Sequence, residues 1–188
     1  GEYVKNPPYK EGDVIIGHCN SLTGPISAEM EVITGGVNAR FWYQNHYLGG
    51  FGGHRVFQMW EDDEYDPDKA TAIWHRVADA GGVAVICDGA ASDMVGKILG
   101  PRLKMPFCTS YPIDKQYPPG WGWLIGIDYG KQAFCSIDWW LENEWPKHPD
   151  YGKRKPRIAF MYWKGAFGES VKPQTMPSCE KAGWEIVE

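Results

Sequence analysis

Two cysteines stand next to acid–base groups at the ends of apolar runs: His18 precedes Cys19, and Cys87 precedes Asp88. A thiol beside an imidazole is the raw material of a nucleophile, because a neighbouring base can take the thiol proton. The surrounding sequence does not build on this start. There is no G-x-S-x-G elbow and no G-x-x-x-x-G-K-[ST] phosphate loop. Gly50-x-Gly52 meets Arg55 where a dinucleotide fingerprint needs its third glycine, and it precedes a strand rather than following one. Glu61-Asp62-Asp63-Glu64 is oxygen-rich, as calcium sites are, but it lacks EF-hand spacing and reads as a solvated entry to a helix. Cys19, Cys87, Cys108, Cys135 and Cys179 form no C-x-x-C pair, which excludes zinc-ribbon and thioredoxin-type motifs. The first four lie in or beside apolar runs and read as small buried hydrophobes. Their odd total leaves at least one thiol unpaired, and Cys87 and Cys108 end predicted strands that would be adjacent if the sheet order follows the sequence there, which makes a disulfide between them conceivable. No catalytic residue, resident metal or cofactor is expected, and the chain does not read as an enzyme.

The bulk numbers narrow the class further. The 188 residues suffice for one α/β domain and part of a second, and 43% hydrophobic residues can fill a core. A formal net charge of −5 and the absence of a basic stripe argue against nucleic acid as a partner. No apolar run reaches the roughly 18 residues that a membrane-crossing helix needs, so direct membrane insertion is not expected. Ten Trp and ten Tyr are the compositional oddity, and aromatic rings recognise flat apolar groups and cations as well as filling cores.

The elements that must position these residues alternate. Asp13–Cys19 reads as a buried strand around Val14-Ile15-Ile16. After the Ser21–Pro25 loop, Ile26, Met30, Ile33, Val37 and Phe41 mark a helix face. Arg55–Glu61 is a second strand, and Asp66-Pro67 opens a helix faced by Ala70, Ile73, Trp74 and Val77. Val83–Cys87 is an unbroken apolar run, typical of a sheet covered on both faces. Asp88–Asp93 reads as a loop and Met94 to Leu99 as a short helix. Strands follow at 106–109 and 121–125, a helix at 130–144, a polar linker at 147–156, a strand at 157–162, a second helical stretch and a last strand from Gly183. The alternation implies an α/β fold with a doubly wound parallel sheet. Ligands of such sheets bind beyond the carboxyl ends of the strands, so the residues just after each strand are the ones to watch.

Ile16-Gly17 with Leu22-Thr23-Gly24-Pro25, then Gly49-Gly50-Phe51-Gly52-Gly53-His54-Arg55-Val56, resemble the first strand, its loop and the entry to strand two of the type I periplasmic binding proteins. The leucine/isoleucine/valine-binding branch is the nearest in pattern. Asp62-Asp63 with Asp66-Pro67-Asp68-Lys69-Ala70, and Phe160-Met161-Tyr162 with Phe167-Gly168-Glu169, continue the likeness in order across nearly the whole chain. The resemblance implies a flavodoxin-like first lobe over residues 1–125, a connecting helix and linker over 126–156, and the start of an incomplete second lobe over 157–188. On that reading the chain is a fragment or comes from a truncated gene.

The resemblance also implies a solute held in an interlobe cleft and delivered to an ABC permease, in the periplasm or at the outer cell surface. Four loops would carry the site. Asn20 and Ser21 follow the first strand, where hydroxyls and backbone N–H groups at a helix start can hold a carboxylate. Ala91 stands where amino-acid-binding relatives place a carboxylate-gripping serine, with Ser92 beside it; that departure puts an α-amino-acid ligand in doubt unless Ser92 takes over. Tyr111, Pro112 and Asp114 follow the fourth strand, with an acid where relatives present Thr. Trp163 and Phe167 belong to the second lobe, with Phe167 at the position of a ligand-covering aromatic, and Pro173 and Pro177 are expected to kink or shorten the following helix. Together these changes point to an amino-acid-like, amide or aromatic carboxylate ligand. A sensor or receptor domain on the same scaffold is the alternative, and a flavodoxin-like enzyme a more distant one.

Overall fold

The computed structural model describes residues 8–110, 120–126, 129–164 and 166–187. The chain divides into two compact units, one over Gly1–Tyr111 and Pro118–Ile125, the other over Pro112–Tyr117 and Gly126–Glu188.

The first unit alternates β1 (Val14–Asn20), α1 (Ser27–Tyr47), β2 (Val56–Asp62), α2 (Pro67–Asp79), β3 (Ala84–Asp88), α3 (Ala90–Leu103), β4 (Phe107–Thr109) and β5 (Gly122–Leu124). Its strands form one parallel sheet in the order β2-β1-β3-β4-β5. Starting the order at β2 and reversing at β1 is what places the loops after β1 and β3 side by side at one edge of the sheet.

Local chemistry explains most of the boundaries. Asp66 accepts hydrogen bonds from the amides of Asp68 at 2.7 Å and Lys69 at 3.3 Å, and Pro67 stands in the first turn, so α2 begins where the sequence places it. Ala70, Ile73, Trp74 and Val77 are all buried against the sheet, and Trp74 meets Phe107 edge-on at 5.7 Å. Val85, Val95, Leu99 and Met105 complete this core. Three glycines make room for it. A Cβ at Gly17 would sit 2.8 Å from Val77, one at Gly96 2.9 Å from Trp74, and one at Gly122 2.5 Å from Phe107.

Two expectations are corrected. Asp88–Asp93 is not a loop: β3 ends at Asp88, Gly89 alone makes the turn, and α3 begins at Ala90. Ala90 and Ala91 favour the helix strongly enough to start it a full turn before Met94. Cys87 and Cys108 cannot pair, because Cys87 lies opposite Thr109 while Cys108 lies opposite Ile86. A one-residue offset across a ladder sends the two side chains to opposite faces of the sheet. All five cysteines are free thiols.

The second unit holds α4 (Tyr129–Asn143), a 3-10 turn (Trp145–Lys147), β6 (Arg157–Ala159), α5 (Ala166–Glu169), α6 (Lys172–Lys181) and β7 (Glu185–Val187). β6 and β7 pair in parallel. Trp140 packs on Trp184 at 5.3 Å and on Trp145 at 6.0 Å, and Arg154 lies over the Trp145 ring at 5.5 Å. Pro173 sits in the first turn of α6, where its missing N–H costs nothing, and the helix carries Pro177 inside it to a length of ten residues.

Candidate functional site

The carboxyl edge of the first unit's sheet is built from internal hydrogen bonds between hydroxyls, amides and acids. Asn20, the last residue of β1, is fully buried. Its side-chain amide donates to the carbonyl of Met30 at 3.3 Å and to the Thr34 hydroxyl, tying the strand to α1. Its Oδ1 makes no hydrogen bond among the described residues. Ser21 is fully buried too, and its hydroxyl donates to Asp63 Oδ1 at 2.5 Å. Asp63 also accepts from the Cys19 thiol at 3.5 Å and from the amide of Tyr65 at 2.9 Å. Burial raises the Asp63 carboxyl above its ordinary range, and the Ser21 bond pulls the other way. Desolvation, with the Asp63 charge second, pushes the Cys19 thiol far above the reactive range.

Beneath the edge runs a second network. The Gln58 amide donates to His18 Nδ1 at 2.6 Å, so the ring carries its proton on Nε2 and donates it to Asp88 Oδ2 at 2.7 Å. The other Asp88 oxygen accepts from the Ser110 hydroxyl at 2.6 Å. His18 is completely buried and Cys19 holds its proton, so the adjacent pair is not an activated nucleophile. Desolvation raises Cys87 strongly as well, with Asp93 the next cause. Asp93 itself is wholly buried, and its carboxyl is raised well above the ordinary range by desolvation against a smaller opposing effect from Thr109.

The loops after β1 and β2 are strapped together. Asp62 Oδ1 accepts from the amides of Leu22 at 2.8 Å, Thr23 at 3.2 Å and Glu64 at 2.9 Å, and Oδ2 accepts from the Thr23 hydroxyl at 2.8 Å. Glu64 and Tyr65 both adopt left-handed backbone, with φ of 51° and 63°. Their amides are held by Asp62 and Asp63, which is what stabilises a conformation that L-residues otherwise avoid. Glu61 pairs with Arg76 and Glu64 with Lys69, so the acidic stretch spends its oxygens on protein donors.

The turn into α3, like that into α1 and unlike that into α2, has no side-chain cap. Gly89 is the N-cap and offers no side-chain acceptor, and the amides of Ala90, Ala91 and Ser92 have no hydrogen-bond partner among the described residues. Ser92 does not take over the role of the missing serine: it is fully buried and its hydroxyl donates to the Gly89 carbonyl at 2.9 Å. Ala91 is buried at the helix start. The first-turn amides of Ala28 and Glu29 in α1 are likewise without a partner among the described residues, so the starts of α1 and α3 both leave donors unspent at this edge. Tyr111, Pro112 and Asp114 lie outside the described residues.

In the second unit a separate cleft of about 480 Å³ is lined by Tyr129, Gln132, Ser136, Tyr162, Trp163 and Phe167 among others. Phe167 meets Tyr129 edge-on at 5.4 Å, and Lys172 Nζ lies 3.8 Å from the centre of the Tyr162 ring. Both candidate aromatics of this unit, Trp163 and Phe167, are exposed and share this cleft. Tyr129 and Gln132 were not anticipated; their signal was their place in the first turn of α4, one helical turn apart on the same face.

Residues 13–188 match a family profile described as periplasmic binding protein. No curated protein matches the sequence significantly. Among solved structures, the chain resembles a fatty acid ABC transporter substrate-binding protein from Thermomonospora curvata at 20% identity and a TM-score of 0.80, over 98% of this chain and 46% of that one. It resembles a branched chain amino acid ABC transporter from Thermus thermophilus with bound valine at 15% identity and a TM-score of 0.79, over 93% of this chain and 44% of that one. A solute binding protein of an ABC transporter from Rhodopseudomonas palustris BisB5, in complex with 3,4-dihydroxy benzoic acid, matches at 14% identity and a TM-score of 0.73, over 95% and 47% of the two chains. The chain thus spans about half the length of the solved proteins it resembles.

Proposed function

The chain belongs to the periplasmic binding protein family, and from that premise we propose that it binds a small carboxylate-bearing solute for an ABC importer, outside the cytoplasm and without catalysis. The carrying observation is the start of α3. Three consecutive first-turn amides of a helix of 14 residues meet no acceptor among the described residues, at the carboxyl edge of a parallel sheet. An anion is the group that such a terminus is built to receive. With Ala91 in place of a hydroxyl and the Ser92 hydroxyl spent on Gly89, recognition there is through backbone groups alone. A backbone-only grip reads a carboxylate and not the ammonium beside it, which favours aromatic, amide-bearing or aliphatic acids over α-amino acids.

The cleft of the second unit supports the same class. Tyr129, Tyr162, Trp163 and Phe167 offer ring faces and edges, and Gln132 and Ser136 add two polar groups. This is the composition of a site for a flat or apolar body. We take this aromatic cleft as the part of the second unit that would meet the apolar body of such a solute.

Titration calorimetry of the 188-residue chain against benzoates, phenylacetates, medium-chain fatty acids, the amides of each and branched-chain amino acids tests the reading. Aromatic or aliphatic acids should bind, and their amides should bind at least tenfold more weakly. Equal affinity for acid and amide would remove the anion from the site, and heat from none of the panel would remove the solute-binding reading.

A further inference from the structure

We propose that Asp62 is a built-in anion, filling a donor cradle on the loop after β1 and thereby closing that position to a solute's anionic group. The inference deepens the solute-binding reading and rests on it for its consequence, but not for its chemistry.

The cradle is complete. Three backbone amides and one hydroxyl converge on a single carboxylate, from Leu22, Thr23 and Glu64. Among the described residues no lysine or arginine hydrogen-bonds to it. Successive amides turned toward one point form a concavity that binds anions without any cationic side chain. A carboxylate bound in such a nest holds charge-assisted hydrogen bonds of the strong kind. Thr23 and Glu64 are exposed, so the cradle lies within reach of small ions once its occupant is removed.

Two donor sets therefore adjoin on one sheet edge, after the paired strands β1 and β3. Their closeness shows in the packing between them: a Cβ placed on Gly89 would stand 3.0 Å from the Ser21 hydroxyl. One set is occupied by the protein's own carboxylate, and the other, at Ala90 to Ser92, has no partner among the described residues. An incoming carboxylate would have to displace Asp62 to use the first set, and it would meet a like charge there. Asp62 is thus a specificity-determining residue that closes one anion position and leaves its neighbour.

The experiment is an acetate titration of the ¹⁵N-labelled full chain as wild type, Asp62→Ala and Asp62→Asn, with chloride at matched ionic strength as the control. In Asp62→Ala the emptied cradle should take up acetate. The Leu22, Thr23 and Glu64 amide signals should then move saturably, and Tm should rise by on the order of 3 °C over chloride. Wild type and Asp62→Asn, whose side-chain oxygen still occupies the cradle, should show neither change at these amides. Amides in Asp62→Ala that ignore acetate overturn the inference, as does an equal response in wild type. If Asp62→Ala unfolds in chloride, refolding by acetate supports the inference, and a chain left unfolded in both salts overturns it. Signals from Ala90, Ala91 and Ser92 report separately on the solute site, so the two readings can fail independently.

Discussion

His18 and Asp88 meet at 2.7 Å beneath the carboxyl edge of the sheet, and the pair is the middle of a chain of four side chains drawn from adjacent strands and the loop beyond β4. Gln58 on β2 donates to His18 on β1, His18 donates to Asp88 on β3, and Ser110, just after β4, donates to Asp88. Both outer members constrain the central pair: Gln58 fixes the ring's tautomer, and Ser110 spends the second carboxylate oxygen. The network therefore ties β2, β1, β3 and the residue after β4 together beneath the loops proposed to carry the site.

Removing the acid should show how much this contributes. Asp88→Ala leaves a buried imidazole N–H and a hydroxyl without their acceptor, and breaking one side of a buried pair costs about 3 kcal/mol. Urea titration should show that loss as a lower midpoint with an unchanged slope. Asp88→Asn keeps the shape and one acceptor and should lose less than half as much. A midpoint for Asp88→Ala equal to wild type would show that the network contributes no stability.

Stability should fall as pH rises above the ordinary carboxyl range. Asp63 and Asp93 hold their protons more tightly when folded, chiefly through desolvation, than an unfolded carboxyl with a pKa of about 3.9 does. Between the unfolded and folded titrations the folded state binds more protons, so folding is favoured at the acid end of the window and penalised as pH climbs through it. Asp13 acts in the opposite sense: its hydrogen bond to Arg55 lowers its carboxyl, and that stabilisation is lost as pH falls through its depressed titration. A Tm series should therefore show a maximum in mildly acid solution. Asp93→Asn should flatten the alkaline limb and leave the acid limb unchanged; a wild-type Tm that is level between about pH 5 and 8 would contradict the assignment.

Much of the scaffold was legible in the sequence because its signals are local. Asp66-Pro67 states a helix start by itself, and the apolar run at Val83 to Cys87 reads as a strand without tertiary context, although β3 spans Ala84–Asp88, Val83 stays exposed and Ile86 is only half-buried. The start of α3 was harder, since Asp88, Ser92 and Asp93 have loop propensities that their buried surroundings override. The candidate serines divide on the same ground. Ser21 and Ser92 stand where a ligand contact is expected, but whether a hydroxyl is spent on Asp63 or on Gly89 depends on where other loops arrive. Asp62 carried a resemblance signal and a calcium signal, and neither spacing nor composition could show that its carboxylate is held by the Leu22–Thr23 loop.

The thiols should separate by burial alone. Cys135 is exposed on α4, whereas Cys19 and Cys87 are fully buried with strongly raised pKa values. Reaction with Ellman's reagent should label Cys135 first, with Cys19 and Cys87 appearing only in denaturant. Reductant should change neither the count nor the intact mass. A fast-reacting Cys19 would show that the Asp63 environment is open to solvent and would revive the nucleophile reading.

The Phe107 pocket should tolerate no added methyl. A Cβ on Gly96 falls 2.9 Å from Trp74 and 3.1 Å from Phe107, both rings fixed by their mutual edge contact. Gly96→Ala should cost about 1–3 kcal/mol by overpacking, more than the helix gains from losing a glycine. Adding Phe107→Leu should recover part of that loss, because the second change removes one of the two rings that the methyl strikes, and a double-mutant cycle in urea would read a coupling of about 1 kcal/mol. Strict additivity would place the strain elsewhere in α3.

Two single substitutions distinguish the proposed grip from the one that Ser92 would have supplied. The Ser92 hydroxyl donates to Gly89 within the helix turn, so Ser92→Ala should leave solute affinity within about twofold of wild type, since a lost neutral bond away from the ligand contributes little to binding. Phe167 is exposed to the aromatic cleft and touches Tyr129 at ring distance, so Phe167→Ala should weaken an aromatic acid by about tenfold or more, the cost of losing one ring contact together with its buried area. Tm of the unliganded variants controls for folding. The order of the two effects is what matters: a large loss in Ser92→Ala with none in Phe167→Ala would return the carboxylate to a serine hydroxyl and take the solute out of the aromatic cleft.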